Sequence, residues 1–222
     1  MKKLLIASAI AASFAGVAMA NPVSGLGFSK PFVAVTAGTN TNDEYATKNI
    51  AAHYNNDTDA SATHQKYALI GGIQLGADLF TANNVAFGAE LDGSHDLISP
   101  NLKVTSTDNT VSKVTVSRYS LNPMAFVAVT PVSKLTLKAK AGYGYQHAET
   151  QDNNTAINEG PIHAWKPVVA GEAQYNLTKN VGIFAGDRYT FGKKDANTNG
   201  LLEANKNMPR ENVVYAGLKY TF

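Results

Sequence analysis

The sequence predicts an all-β chain folded as a transmembrane antiparallel up-and-down barrel of eight strands with a filled polar interior. Three observations lead there. Apolar and polar residues alternate along most of the chain, and no segment carries a sustained 3.6-residue apolar period. Short turns and long polar connections follow one another in strict alternation. The chain opens on an export-type leader, yet nowhere else does it offer the roughly 18 consecutive apolar residues that a spanning helix needs. If a membrane is the destination, strands must cross it.

The leader is read over residues 1–20. Lys2 and Lys3 precede an apolar run from Leu4 to Ala18, and the small-residue site Ala18-Met19-Ala20 stands before Asn21. That leaves 21–222 as one barrel domain. Of the 19 Lys and Arg against 17 Asp and Glu, two lysines fall in the leader, so the formal charge drops from +2 to zero. No basic surplus remains that would suggest nucleic acid. The absence of cysteine excludes a disulfide framework and thiolate metal or redox chemistry.

Eight strands are expected at about 30–39, 65–80, 84–94, 114–130, 134–147, 163–177, 180–191 and 212–222. The first, second and third short turns fall at Thr81-Ala82-Asn83-Asn84, Thr130-Pro131-Val132-Ser133-Lys134 and Leu177-Thr178-Lys179-Asn180, each rich in turn formers. Between them lie long connections at about 40–64, 95–113, 148–162 and 192–211, rich in Asn, Thr and Asp. Short turns on one rim and long loops on the other are the organisation of membrane-spanning barrels.

Which face is inside follows from the content of the polar face. In the second strand Tyr67, Leu69, Gly71, Ile73, Leu75, Ala77 and Leu79 oppose Lys66, Ala68, Ile70, Gly72, Gln74, Gly76 and Asp78. In the fifth, Leu135, Leu137, Ala139, Ala141, Tyr143 and Tyr145 oppose Lys138, Lys140, Gly142, Gly144 and Gln146. A glycine-rich polar face suits the crowded interior of an eight-stranded barrel. The same phase places Glu90, Asp92, Arg118, Glu172, Arg188 and Lys219 inside. Buried charges require partners, so an interlocked network is expected, centred on Glu90, Lys138, Lys140, Glu172 and Arg188. It either fills and holds the barrel or forms a gateable polar path.

Aromatic residues gather near predicted strand ends. Phe80, Tyr175, Tyr220 and Phe222 mark the short-turn rim, and Tyr67, Tyr119, Tyr145, Trp165, Tyr189 and Phe191 the long-loop rim, as two membrane interfaces would favour. Three residues fit poorly. Asp187 falls on the apolar face unless a bulge near Gly186 turns it inward, while Pro123 and Pro167 interrupt a ladder that has no free edge.

The stretch Tyr215-Ala216-Gly217-Leu218-Lys219-Tyr220-Thr221-Phe222 alternates and ends on an aromatic. With Tyr215, Gly217, Tyr220 and Phe222 it resembles the C-terminal signal read by the barrel assembly machinery of Gram-negative bacteria. Together with Gly72-Ile73-Gln74-Leu75-Gly76, Ala141-Gly142-Tyr143-Gly144-Tyr145, Gly171 through Asn180 and Asp187-Arg188-Tyr189-Thr190-Phe191, this likeness covers nearly the whole exported chain. It resembles the small eight-stranded outer-membrane barrels of the OmpA-type and opacity-like group. The resemblance implies a non-enzymatic role in the Gram-negative outer membrane, with both termini periplasmic and four surface loops. A peptidoglycan-binding domain, as in full-length OmpA proteins, is not found within the sequence.

Its expected surroundings are outer-membrane lipid, lipopolysaccharide, the assembly machinery and a host surface ligand; no cofactor or metal is implied. The leading expectation is a structural or surface-interaction role. The alternatives are a narrow pore for ions or small solutes, and an adhesin acting through 40–64 and 192–211. His147 and His163 flank the third long loop with Glu149 nearby, but no serine lies there to be activated, so an acyl hydrolase is disfavoured. His53, His64 and His95 lack metal-ligand spacing. The four loops carry charges of about −3, 0, −3 and +1, an acidic rim that disfavours polyanionic ligands.

Overall fold

The computed structural model describes residues 29–41, 61–64, 68–99, 101–105, 111–152, 162–192 and 210–222. The predicted leader, Lys66, Tyr67, His53 and the greater part of the first and fourth long connections lie outside them. Among the described residues ten strands are present: β1 (Ser29–Asn40), β2 (Ser61–His64), β3 (Ala68–Ala82), β4 (Val85–Ile98), β5 (Asn101–Thr105), β6 (Val111–Val132), β7 (Leu135–Asp152), β8 (Ile162–Asn176), β9 (Val181–Thr190) and β10 (Glu211–Thr221). Eight long strands close into an all-antiparallel barrel in the order β1-β3-β4-β6-β7-β8-β9-β10, and β10 returns to pair with β1. The short strands β2 and β5 pair with each other, and β5 also with β6, above the long-loop rim. They and the longer β4, β6 and β7 take up parts of what the sequence suggests are loops, so the second and third connections are shorter than expected.

Each strand forms for the reason its period suggests: one face is apolar and turned outward, the other is turned to the opposite wall. The closing seam runs without a break from Phe32↔Thr221 to Asn40↔Val213. Register shifts occur near the rims, between Ser29 and Phe32, Leu69 and Ile70, Asp78 and Phe80, and Val129 and Val132. None occurs at Gly186. Gly186↔Tyr215 and Asp187↔Val214 continue one register, so the expected bulge is absent and Asp187 stays on the outer face. Asn212 lies against it and, with its amide nitrogen turned to the carboxylate, donates to Asp187 Oδ1 at 2.6 Å.

The prolines now have places. A residue in an antiparallel ladder turns both backbone groups to the same neighbour, so a proline is tolerated where that neighbour is missing. Pro167 stands at the end of the β8–β9 ladder, one residue before Val168↔Thr190; its carbonyl still accepts from Phe191 N at 3.0 Å, so the proline costs only the donor of that terminal pair. Pro123 is opposite Leu91 of β4, but β6–β7 pairing lapses after Leu121↔Tyr145 and resumes at Met124↔Gly142. The proline thus falls in a gap of one ladder while its other flank remains in register.

The short turns are tight. Asn83 adopts φ 52°, a left-handed conformation that asparagine tolerates, and lets β3 turn into β4. In the third, the Thr178 hydroxyl accepts from Asn180 N at 3.2 Å and Val181 N at 2.9 Å.

Inside, large and small residues interlock. Phe32, Phe126, Phe184 and Tyr215 all point into the lumen and are buried. Opposite them stand glycines: a Cβ on Gly76 would lie 2.5 Å from Phe32 Cζ, and one on Gly217 2.6 Å from Phe184 Cζ. Gly88 makes the same allowance for Phe126. Gly76, Gly88 and Gly217 are therefore recesses for rings, and the interior is less polar than the alternation alone implies. Gly88→Val should lower the urea midpoint of the refolded barrel by an amount equivalent to about 1–3 kcal/mol, since both Phe126 and the Ala77 carbonyl oppose the new side chain.

Candidate functional site

Strand register places the lumen's charges. Lys138 of β7 lies directly opposite Glu172 of β8, and Lys140 follows two residues on, on the same inward face. Glu90 comes from β4, which β6 separates from β7, so its contact with the lysines reaches across the curved wall. Lys219 arrives from β10, on the closing seam.

Lys140 Nζ donates to Glu90 Oε1 at 2.5 Å and to Glu172 Oε2 at 2.7 Å, and all three side chains are wholly shielded. Lys138 Nζ stands 3.4 Å from Glu90 Oε2 and 3.9 Å from Glu172 Oε1. Lys219 Nζ lies 3.4 Å from Glu172 Oε1 and donates to Gln174 Oε1. The aromatic rings take part: Lys138 Nζ is 4.5 Å from the Phe32 ring centre and 4.3 Å from that of Phe126, while Lys219 Nζ is 4.4 Å from that of Phe32. Buried carboxylates and ammonium groups persist only when partnered, and here each has one.

Four of the five residues at the expected centre, Glu90, Lys138, Lys140 and Glu172, come together. Arg188 does not join them. It pairs with Asp92, Nη1 to Oδ1 at 2.7 Å, and donates from Nη2 to Ser94 Oγ at 2.9 Å. Around this second storey Gln74 donates to Asp92 Oδ2 at 3.4 Å, Ser94 and Ser120 share a 2.7 Å bond, and Gln146 donates to Asn122 Oδ1 at 3.0 Å. Nearest the long-loop rim Arg118 Nε donates to Asp96 Oδ2 at 3.0 Å and Nη1 lies 3.6 Å from Glu211. Sequence reading misses Asp96 and Glu211 because it ends one strand and starts another too close to the barrel's middle. Continuing the alternation two residues past Ser94 would have reached Asp96.

The four terminal-strand residues divide between faces. Tyr215 is buried and Gly217 receives the Phe184 ring, both inward, whereas Tyr220 and Phe222 are exposed, their rings 5.1 Å apart. The outer face carries exposed Val35, Ile73, Leu121, Leu137, Val169 and Leu218 along its middle. Two aromatic bands flank it. Phe80 and Phe87 pair at 6.4 Å near the short turns; toward the other rim Tyr143 stacks on Trp165 at 6.3 Å and Tyr119 on His147 at 4.3 Å. Phe87, Tyr143 and His147 thus extend bands that the sequence reading draws without them.

His147 and His163 face each other across β7 and β8. Their rings lie against Tyr119 and Tyr145, part of the aromatic band. Among the described residues no group of three or more His, Cys, Asp or Glu is placed to hold a metal ion, and no helix is long and apolar enough to cross a membrane.

On the short-turn side the lumen opens into a cavity of about 670 Å³, whose floor includes Phe32, Lys138, Gln174 and Lys219. The ion cluster stands between this cavity and the Arg188 storey. Glu172→Gln should destabilise the barrel by about 3–5 kcal/mol, because it strips Lys140 and Lys219 of a charged partner inside a shielded lumen. Denaturant titration of refolded protein, monitored by gel mobility, reads the loss.

No family model matches the sequence, and no curated protein matches it. The structure is similar to solved outer-membrane barrels. The outer membrane protein OprG of Pseudomonas aeruginosa aligns over 88% of this chain and 97% of its own at 12% identity, with a TM-score of 0.50. Neisserial surface protein A aligns over 86% and 96% at 15% identity, TM-score 0.48. Ail, the attachment invasion locus protein of Yersinia pestis, aligns over 87% and 99% at 11% identity, TM-score 0.46. The chain has the closed eight-stranded fold of the small outer-membrane β-barrels.

Proposed function

We propose that the chain is a non-enzymatic barrel of the Gram-negative outer membrane, exported by the leader at 1–20, with a structural or surface-interaction role carried by its long-loop rim. The observation that carries this reading is the inversion of the molecule. Its middle shows apolar side chains outward between two aromatic bands, and its charges lie inside. A soluble barrel hides its apolar face; a lipid-facing one exposes it. In this setting lipid and lipopolysaccharide surround the barrel, the short-turn rim faces the periplasm, and the assembly machinery reads the terminal strand. The surface role rests on a lumen filled at mid-height by shielded Lys140, Glu90 and Glu172, which leaves the rim as the place for contact with other molecules.

A narrow pore is the second reading, favoured by the open cavity on one side of the cluster. Planar-bilayer recording of residues 21–222 separates the two. The surface reading expects a silent wild-type barrel, with openings only when Lys138→Ala and Lys140→Ala remove the plug. Sustained wild-type openings whose ion selectivity changes in that variant would make it a pore. Attachment lost on deleting 40–64 or 192–211 from a folded barrel would instead mark an adhesin.

Removing Phe222 is expected to lower the amount assembled in cells by severalfold while leaving the stability of refolded protein nearly unchanged, since its ring lies outside the packed lumen. Outer-membrane levels and in vitro unfolding midpoints, measured side by side, check this.

A further inference from the structure

We propose that the cavity at the short-turn rim is a binding site for a small divalent oxyanion of the phosphate type, held between Lys138 and Lys219. The ion cluster is lopsided. Three lysine side chains, Lys138, Lys140 and Lys219, share two carboxylates, Glu90 and Glu172, which leaves the cluster with one more basic than acidic group. Lys140 takes both short bonds, at 2.5 and 2.7 Å. The other two lysines reach the carboxylates only at 3.4 to 3.9 Å; Lys219 also donates to Gln174 Oε1, and each ammonium keeps a donor that the carboxylates do not take.

These two lysines are the ones the cavity reaches. Lys138 and Lys219 line its floor, while Lys140 and both carboxylates are wholly shielded behind them. The site thus presents more cations than anions, since of the nearby carboxylates only that of Asp78 lines the cavity. The pair is also held together: both Nζ atoms lie within 4 Å of the same Glu172 oxygen, and both sit over the Phe32 ring, at 4.5 and 4.4 Å from its centre. Like charges placed so close in a partly desolvated pocket repel, and an anion between them converts that repulsion into attraction.

Size and field agree with such a ligand. At about 670 Å³ the cavity lies within the roughly 300–1,000 Å³ of small-molecule sites. Its upper wall adds Lys30, Lys134 and Lys179 against the single carboxylate of Asp78, and a cleft of one dominant sign concentrates ions of the other. A monovalent ion would meet the excess charge but engage only one ammonium well. A tetrahedral dianion has oxygens enough to bridge both. The lumen wall separates the site from the barrel's outside, so the expected ligand is a free soluble anion.

Calorimetric titration of inorganic phosphate into the refolded protein in a non-ionic glycoside detergent tests this, with sodium chloride at matched ionic strength as the comparison. One saturable site is expected for phosphate and none for chloride. Lys219→Met, which equalises the cluster's charges, should weaken binding at least tenfold; Lys166→Gln, on β8 opposite Gly144 and outside the cavity, should change it less than threefold. A second measurement needs no variant: phosphate should lower the labelling of Lys138 and Lys219 of the wild-type barrel by an amine-reactive reagent while that of Lys166, outside the cavity, is unchanged. The proposal is overturned by non-saturable heats that chloride reproduces, by undiminished binding in folded Lys219→Met, or by equal labelling with and without phosphate.

Discussion

Closure of the sheet by β1 and β10 is the constraint from which the other features follow. These strands lie at opposite ends of the described chain, and their unbroken nine-residue register removes the two edges that an eight-stranded meander would otherwise leave. In hydrocarbon no water is present to satisfy an open edge, so closure is a condition of spanning and not an embellishment. Once the ring is shut, every side chain has only two directions available. Period-2 alternation therefore becomes a sorting of the sequence into an outer coat and an inner filling.

The filling is what makes the sorting strict. A slip of one residue in β7 would send Lys138 and Lys140 outward and bring Leu137 and Ala139 into the lumen, stranding Glu90 and Glu172 without partners. Buried ion pairs contribute little net stability over a well-packed apolar core, but breaking one is expensive. Their effect here is on specificity of register. The seam residues serve both purposes at once: Phe32 and Lys219 belong to the closing strands, and both form part of the cavity floor. Glycines complete the packing by making room for rings, so that a narrow lumen accommodates four aromatic side chains beside its charges.

Much of this was legible in the sequence where the alternation is clean and long. The faces of β7 are those the pattern of Lys138, Lys140, Gly142, Gly144 and Gln146 implies, and all three short turns occur where turn formers cluster. The rest depended on information that a period does not carry. Phe32, Phe126 and Phe184 point inward because glycines on neighbouring strands leave recesses, and that complementarity is set by register between strands remote in sequence. Arg188 stands apart from the Lys140 cluster because its height in the barrel matches Asp92, one storey away from Glu90. Asp187 faces outward without a bulge because Asn212, across the β9–β10 ladder, supplies the partner. Pro123 and Pro167 look forbidden when the ladder is imagined as continuous and are accommodated because it is not. Strand ends at Asp96 and Glu211 were hidden by polar composition, which marks a loop and a strand above the barrel rim equally well.

The central claim is that the apolar face meets lipid while the charged face fills the lumen. The absence of cysteine makes single labelling sites simple to introduce. The direct test is a nitroxide scan of β7 in lipid bilayers, one label at a time from 137 to 143, read by collision with dissolved oxygen and with a water-soluble nickel complex. The account predicts high oxygen and low nickel accessibility at 137, 139, 141 and 143, and low accessibility to both at 138, 140 and 142. High nickel accessibility at the odd positions would contradict it, because the face assigned to lipid would then be in water.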